Sequence, residues 1–328
     1  MKIETHISLF AGMGGFIFPT EDLGIKTILA NDNDKGCLKT LSKSFPNIKL
    51  ESCSIKELNF KNLELKNRLD LLTAGFPCQS FSNAGDNKGF EDPRGQLFFE
   101  IIRLSKELLQ KPKIILLENV SNLKIFNNGE RLAVILKSLR SLGYWVNHNN
   151  SILLNSNNYT GTPQNRERLY IAAFHSEVFN KNPFNLSILK EKQKKSLWSF
   201  IDRTKKENDS LYLDPQNKYC LMIKKAIEEA GGDRLFQIRR VEARAIKTGN
   251  CPTLTANMGG GGHNVPFVKD NYGIRRLSTK ECLLLQGFKE NKVGFNNVSE
   301  QQKLSMIGNS VDPKIIKLIL KSIMEVLN

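Results

Sequence analysis

The stretch Ser8–Phe16, SLFAGMGGF, decides the fold, because it sets a glycine-rich turn at the end of an apolar strand predicted over His6–Phe10. Glycines let the chain turn sharply and bring its backbone close to a ligand. Asp32 comes about 20 residues after the first of these glycines, at the end of the second predicted strand, where a carboxylate can accept hydrogen bonds from ribose hydroxyls. A plain tight turn and a helix N-cap at Asp32 are the structural alternatives. Ile17 occupies the position of the third glycine of a dinucleotide fingerprint, so the pattern favours a ribose–adenine ligand without a pyrophosphate.

Outward from this turn, short apolar strands alternate with amphipathic helices over roughly the first 175 residues. Further strands are predicted at Lys26–Asn31, Leu69–Ala74, Lys113–Glu118 and Leu169–Phe174, and helices at Lys35–Ser44, Leu97–Gln110, Glu130–Leu142 and Pro313–Leu327. Strands separated by helices form a mostly parallel sheet, and such sheets bind ligands at the carboxyl ends of their strands. From Phe179 to Gly273 the chain is polar and irregular, which predicts a second, smaller, loop-rich domain. The predicted fold class is therefore α/β, with the last helix packing back on the first domain.

The charge balance indicates a polyanionic partner. The 328 residues include 48 Lys and Arg against 33 Asp and Glu, a formal net charge of +15, and nucleic acid is the first candidate for such a surplus. The Lys bias of an AT-rich genome would give the same balance. A 40% hydrophobic share excludes a disordered chain, and no apolar run approaches the roughly 18 residues of a membrane span. The six scattered cysteines form no Cys-x-x-Cys pair, which argues against a zinc ribbon or a redox motif and fits reduced thiols in a cytoplasm.

Reactive or charged residues follow or precede several of the predicted strands. Cys78 comes directly after the strand Leu69–Ala74, in a polar loop where a thiol is available for nucleophilic attack. Glu118 ends the next strand as a candidate proton donor, with a helix cap or a surface charge as the alternative. Arg166 and Arg168, two residues apart on an extended segment, point to one face. They form either a structural ion-pair network or a site for an anion and an acceptor oxygen.

Eight short motifs occur in order along nearly the whole chain. They are FAGMGG from Phe10, Asn31-Asp32, Pro77-Cys78-Gln79, GFED with Arg94-Gly95, Glu118-Asn119-Val120, QNRER from Gln164, the segment from Arg275 to Phe288, and GNSV from Gly308. Together they resemble the cytosine-C5 DNA methyltransferase family of bacterial restriction–modification systems. The resemblance implies a Rossmann-like fold that binds S-adenosylmethionine, a target-recognition domain, and a cytosine flipped out of double-stranded DNA as the substrate.

The resemblance also implies a mechanism. Cys78 would add to C6 of the cytosine, Glu118 would hydrogen-bond or protonate N3, and Arg166 would bind the carbonyl oxygen. Arg168 and Gln164 are supporting residues of the same pocket. The activated C5 then takes the methyl group, a base removes the C5 proton, and Cys78 leaves. This scheme needs no metal, a monomer suffices for it, and it leaves room for a genetically paired restriction endonuclease.

Cofactor contacts are carried over residue by residue from the resemblance. They are Phe10, Gly12, Met13, Gly15, Asp32, Ile55, Pro77, Leu97 and Asn309. Since Asn309 comes from the far end of the chain, residues 1–180 are predicted as the catalytic domain, completed by 296–328, with 181–295 as the target-recognition domain. Ser8 and Ser54 depart from the family pattern, because many members have Asp at these positions. The change at Ser54 predicts a lower affinity for the cofactor.

The segment Pro252–Ala256 and the glycines after it resemble the most recurrent piece of the region that recognises target bases. A Thr-Leu pair beside a glycine-rich loop lets backbone approach a DNA groove, and a glycine hairpin without DNA contact is the alternative. The predicted DNA contacts are Gln79, Ser82, Arg94, Arg239, Arg240, Thr253, Leu254 and Gly260. The runner-up is an enzyme of the same fold acting on tRNA, whose Cys-Phe-Thr signature is absent. A catalytically dead DNA-binding module is disfavoured by the intact Cys78, and a nicotinamide dehydrogenase by Ile17.

Overall fold

The structure is a computed structural model, and it describes residues 1–61, 63, 65, 67–77, 96–239, 242–259 and 265–327. The chain forms two compact units. Unit 1 comprises Met1–Leu154, Glu167–Lys190 and Ile315–Asn328, and unit 2 comprises Asn155–Arg166 and Glu191–Lys314. These bounds differ from the domain bounds expected from the sequence, because residues 155–166 and 296–314 belong to unit 2 and residues 181–190 to unit 1.

The strands and helices alternate through unit 1 and become sparser in unit 2. The strands are β1 Thr5–Leu9, β2 Lys26–Asn31, β3 Lys49–Glu51, β4 Leu71–Gly75, β5 Ile114–Val120, β6 Tyr144–Trp145, β7 Ser151–Asn155, β8 Glu167–His175, β9 Phe236–Arg239, β10 Glu242–Ala245, β11 Phe267–Lys269 and β12 Ile274–Arg276. The helices are α1 Ile17–Asp22, α2 Lys35–Ser44, α3 Leu97–Glu107, α4 Asn122–Ile125, α5 Glu130–Ser141, α6 Ser156–Tyr159, α7 Lys218–Ala230, α8 Thr279–Leu285, α9 Glu300–Asn309 and α10 Pro313–Leu327. No helix in the described ranges is long and apolar enough to cross a membrane.

Unit 1 is built on one eight-stranded sheet. Its order is β3-β2-β1-β4-β5-β8-β6, and β7 pairs with β8. The pairs from β3 to β5 are parallel, whereas β8 runs antiparallel to β5 and β6. The central strands are apolar runs such as Ile114–Leu117, buried on both faces as is typical of parallel sheets. This is the α/β fold expected from the alternation of strands and helices.

Side-chain patterning explains how the helices of unit 1 begin and pack. Asp34 caps α2, because its Oδ1 accepts the Cys37 N–H at 2.8 Å. Along α5, Leu132, Ile135, Leu136 and Leu139 are buried at helical spacing in the core of the unit. The helix ends just before Gly143, whose φ of +91° is the left-handed conformation that favours glycine.

Unit 2 contains a small antiparallel sheet of order β10-β9-β11-β12. Helix α7 packs its apolar side, including Ile223, on Phe236 and Phe267 of this sheet. On β12 of this sheet, the buried Arg275 donates hydrogen bonds to Asp270 and to both carboxylate oxygens of Glu281. A buried charge needs such full pairing, so Arg275 supports the fold of unit 2.

Candidate functional site

The glycine-rich turn after β1 is fastened to the end of β2. The Gly12 N–H donates to Asp32 Oδ2 at 2.8 Å, and the Asp34 N–H donates to Oδ1 at 2.9 Å. Gly12 has a φ of +55°, and a Cβ there would meet nothing within 4 Å. The turn therefore presents backbone to open space beside a carboxylate, which fits a ligand that bears hydroxyl groups. The helix-cap alternative for Asp32 is wrong, since Asp34 caps α2.

Asp32 is partly buried, and this affects its charge. Burial raises the pKa of its carboxyl group, and the N–H groups of Asp34 and Gly12 offset part of that rise because they stabilise the carboxylate. Each carboxylate oxygen that accepts one backbone N–H can still accept a second hydrogen bond. The group can therefore bind a ribose hydroxyl while it fastens the turn.

Six of the nine predicted cofactor contacts are accessible to solvent, and three are buried. Accessible surface remains on Phe10, Gly12, Asp32, Pro77, Leu97 and Asn309. The other three, Met13, Gly15 and Ile55, are buried, and Ile55 packs in the core of unit 1. A ligand would meet few atoms of these three residues.

The carboxyl ends of β4 and β5 lie side by side. Gly75 is the register partner of Glu118, and the Asn119 side chain donates to the Phe76 carbonyl at 3.1 Å. This bond fixes the start of the loop that continues through the exposed Pro77. Cys78 follows, and it lies outside the described residues, as do Gln79, Ser82, Arg94, Arg240 and Gly260.

Glu118 is a buried acid at this edge of the sheet, 8% exposed. The Nε atom of Arg168, at the start of β8, lies 3.4 Å from its Oε1. The helix-cap and surface-charge alternatives for Glu118 are wrong, because the side chain is buried in an ion pair and Ser121 precedes α4. A carboxyl group paired with a guanidinium can donate or accept a hydrogen bond at one atom of a ligand, while the arginine binds an oxygen of the same ligand nearby.

Arg166 has different partners from Arg168. It is 3% exposed, and its guanidinium donates to the backbone carbonyls of Leu254 at 2.8 Å, Gly308 at 3.1 Å and Ser310 at 2.7 Å, all in unit 2. Of the two roles that the spacing left open, Arg168 therefore has the ion pair, and Arg166 binds acceptor oxygens that belong to the protein itself.

Gln164 is fully buried, and its amide is used within unit 2. It donates to the Leu285 carbonyl at 2.8 Å and accepts the Leu254 N–H at 3.0 Å. Leu254 is 0% exposed, so of the predicted Thr-Leu pair only Thr253 keeps accessible surface, and its hydroxyl donates to the Asn165 carbonyl. Arg239 is exposed at the end of β9.

Two polar residues of these segments had no role in the sequence analysis. Asn119 fastens the loop before Cys78, and Gln286 is fully buried between Gln164 and the Ser310 carbonyl. Both stood inside quoted motifs, and a buried amide in an otherwise apolar stretch was the available signal. Among the residues that the structure describes, no group of three His, Cys, Asp or Glu side chains is arranged to hold a metal ion.

Comparison with known proteins gives consistent matches. Residues 5–325 match the family model described as C-5 cytosine-specific DNA methylase. The type II methyltransferase M.Bsp6I of Bacillus sp. (strain RFL6) is 38% identical over 319 residues, which cover 96% of this chain and 97% of that protein. The type II methyltransferase M.HpaII of Haemophilus parainfluenzae is 33% identical, with 98% and 89% covered. The solved structure of the Entamoeba histolytica methyltransferase EhMeth has a TM-score of 0.74 at 20% identity and covers 100% of each chain, a likeness of fold alone.

Proposed function

Because this chain belongs to the C-5 cytosine-specific DNA methylase family, we propose that it methylates one flipped cytosine in a specific duplex sequence, through a covalent bond between Cys78 and C6. The chain is a DNA cytosine-5 methyltransferase of the restriction–modification type, and its family uses S-adenosylmethionine as methyl donor. The observation that carries the proposal is the pairing of Gly75 with Glu118, since it brings a buried acid beside the chain that leads to Cys78.

The chemistry explains why a thiol and an acid are needed together. Carbon 5 of cytosine is too weak a nucleophile to attack a methyl sulfonium, so the Cys78 thiolate first adds to C6. Its electron pair forms the S–C6 bond, and the pair of the C5–C6 double bond moves through the ring toward N3 and the carbonyl oxygen. Glu118 stabilises this charge by hydrogen bonding or protonation at N3. After C5 has taken the methyl group, a base removes the C5 proton and the Cys78–C6 bond breaks. A thiol cannot reach C6 inside stacked DNA, so the base must be flipped out.

We propose that Arg168 binds the carbonyl oxygen of the cytosine. Its guanidinium lies beside Glu118, so the two side chains can bind N3 and the neighbouring carbonyl oxygen of one cytosine. The family resemblance implied this role for Arg166, but three backbone carbonyls already accept hydrogen bonds from that guanidinium. We assign Gln164 a supporting role, because its amide is engaged with the Leu285 and Leu254 backbone and with the Gln286 side chain.

The turn after β1 supports the cofactor assignment. When bound, S-adenosylmethionine supplies an electrophilic methyl group. Its ribose would lie at Asp32, and the open space at Gly12 allows the backbone to approach it closely. The exposed Asn309 is a further contact in the proposal, as are Phe10 and Leu97. We extend the proposal to a monomer in the cytoplasm, with a genetically paired restriction endonuclease.

A trapping experiment tests this function. Duplex DNA with 5-fluorocytosine at the target position should form a stable adduct with the protein, because fluorine at C5 blocks the final elimination. Cys78→Ser protein should form none, and an adduct at full yield from that variant would overturn the nucleophile assignment. Labelled methyl transfer to genomic DNA, with tRNA as the competing substrate, tests the substrate class. Mapping the methylated positions gives the target sequence.

A further inference from the structure

Three buried polar side chains of unit 2, Gln164, Arg166 and Gln286, form one hydrogen-bonded cluster, here called the amide–guanidinium cluster. Gln164 donates to the Gln286 side-chain oxygen at 3.1 Å. Gln286 and Arg166 each donate to the same acceptor, the Ser310 carbonyl, at 2.7 Å. The exposed fractions of Gln164 and Gln286 are zero, so these bonds form away from competing water.

One side of this cluster binds the backbone of the Thr-Leu pair. Leu254 donates its N–H to Gln164 and accepts at its carbonyl from Arg166. The pair is also fastened from the neighbouring backbone, since the Thr253 hydroxyl donates to Asn165 and the Asn165 N–H donates to Cys251. The partly exposed Thr253 is therefore set in place by the residues around Arg166.

The other side binds the end of α9. The carbonyls of Gly308 and Ser310, which flank Asn309, both accept from Arg166. A Cβ at Gly308 would overlap the carbonyl carbon of Thr255, so the two segments touch through their backbones. Asn309 itself is exposed. One guanidinium thus connects the segment of Thr253 with that of Asn309.

We propose that the amide–guanidinium cluster positions the DNA-reading and cofactor-binding segments as one frame, with Arg166 and Gln286 as positioning residues for both substrates. The inference rests on the proposed function, because that function assigns DNA to Thr253 and cofactor to Asn309. A guanidinium is a planar fork with donors in fixed directions, so its three acceptors cannot move independently. Loss of a donor leaves a buried carbonyl unpaired, and the backbone on that side must shift to recover a partner.

Two variants test the frame. Gln286→Met keeps the side-chain volume and removes both hydrogen bonds, and Arg166→Lys keeps the charge and loses the fork. We expect the dissociation constants for S-adenosylmethionine, by calorimetry, and for a duplex carrying the mapped site, by fluorescence anisotropy, to rise together by about tenfold in each variant. A tenfold change corresponds to about 1.4 kcal/mol. For Gln286→Met, the kcat at saturating substrates should stay within about threefold of the wild type.

Arg168→Lys is the matched control, because that residue is the proposed oxygen ligand and its loss should lower kcat instead. Melting temperatures are recorded for all variants, since a purely structural role would lower them and leave both dissociation constants unchanged. A rise in one constant alone, a fall in kcat alone, or two unchanged constants in both variants overturns the inference. Methyl transfer by the wild type tests the proposed function separately, because the binding constants are measured without turnover.

Discussion

Arg168 Nε lies 3.4 Å from Glu118 Oε1, across the antiparallel pair β5–β8. Val120 is the register partner of Arg168, so the two charged residues are diagonal neighbours on one face of the sheet. The pair is buried on the acid side and partly exposed on the arginine side, with 10% and 17% of the side chains accessible. The carboxyl group is therefore buried beside a guanidinium.

Replacing the acid should abolish most of the activity without preventing binding. We expect Glu118→Gln to lower kcat by about 100- to 10,000-fold, because the amide keeps the shape and cannot exchange a proton with N3. The measurement is single-turnover methyl transfer together with calorimetric binding of S-adenosylmethionine. Glu167→Gln, an exposed neighbour on the same strand, is the control and should retain wild-type rates. Wild-type turnover by Glu118→Gln would contradict its proposed role.

A buried histidine predicts loss of stability in mild acid. His6 donates and accepts among the hydroxyls of Thr27 and Thr73, and burial lowers its pKa from 6.5 to about 3. Between these values the unfolded chain binds a proton that the folded chain does not, so stability falls as the pH falls below 6.5. The loss between pH 6.5 and pH 5 should be about 2 kcal/mol.

Denaturant midpoints over this pH range check the effect. His6→Gln should have a flatter pH dependence, since an amide does not titrate. His148→Gln, at an exposed histidine, should keep the wild-type slope. An unchanged slope in His6→Gln would assign the acid sensitivity to other groups.

Gly308→Ala should destabilise the protein through a direct steric conflict. The new Cβ would overlap backbone atoms of Thr255, which cannot rotate away as a side chain can. We expect about 1–3 kcal/mol of destabilisation, the range for overpacked sites. Gly232→Ala is the control in the same unit, because its Cβ would meet the Lys269 and Ile227 side chains at ordinary distances of 3.6 and 3.7 Å. The two variants are compared by urea denaturation, and equal midpoints would refute the expected conflict.

The exposed lysines of the run Lys190–Lys195 should contribute to DNA affinity through phosphates. The run is ordered, because the N–H groups of Lys192 and Lys195 donate to the carbonyls of Asn158 and Gly161. Lys194 also donates to Asn250, which precedes the Thr-Leu pair in the chain. Neutralising Lys192, Lys194 and Lys195 with Gln should lower the slope of log affinity against log salt by up to about 2.7, at about 0.9 per lost phosphate contact.

The control for that experiment is the corresponding Gln triple at Lys218, Lys224 and Lys225, which are exposed on α7. It removes the same net charge from the same unit. Equal salt slopes in the two triples would mean that total charge, rather than the ordered run, determines the affinity.

The secondary structure could be predicted from the sequence where a single segment carries all the residues that determine it. The bounds of β2, α2 and α10 were predicted to the residue, because a short, mostly apolar strand, an Asp cap and a strongly amphipathic helix are local features. The direction of β8 was not predictable in this way, because an apolar run reads the same in parallel and antiparallel pairing. Similarly, the turn at Gly12 and its partner Asp32 follow from short-range spacing.

The role of Arg166 needed the folded chain. Its acceptors Leu254 and Ser310 lie 88 and 144 residues away along the sequence, and no local pattern relates them. Motif resemblance named the residue and assigned it to the substrate, whereas its contacts are with the protein backbone. The burial of Leu254 also needed the folded chain, because nothing in the sequence next to the glycine-rich loop shows that this leucine is covered.

The reversed direction of β8 has a consequence for engineering. The chain enters this strand at the edge of the sheet that holds Glu118 and leaves it at the opposite edge. A one-residue shift in the register of β8 would turn the Arg168 side chain to the other face of the sheet. Residues added after His175 join far from that edge, and a graft of foreign recognition sequence is therefore best spliced downstream of β8.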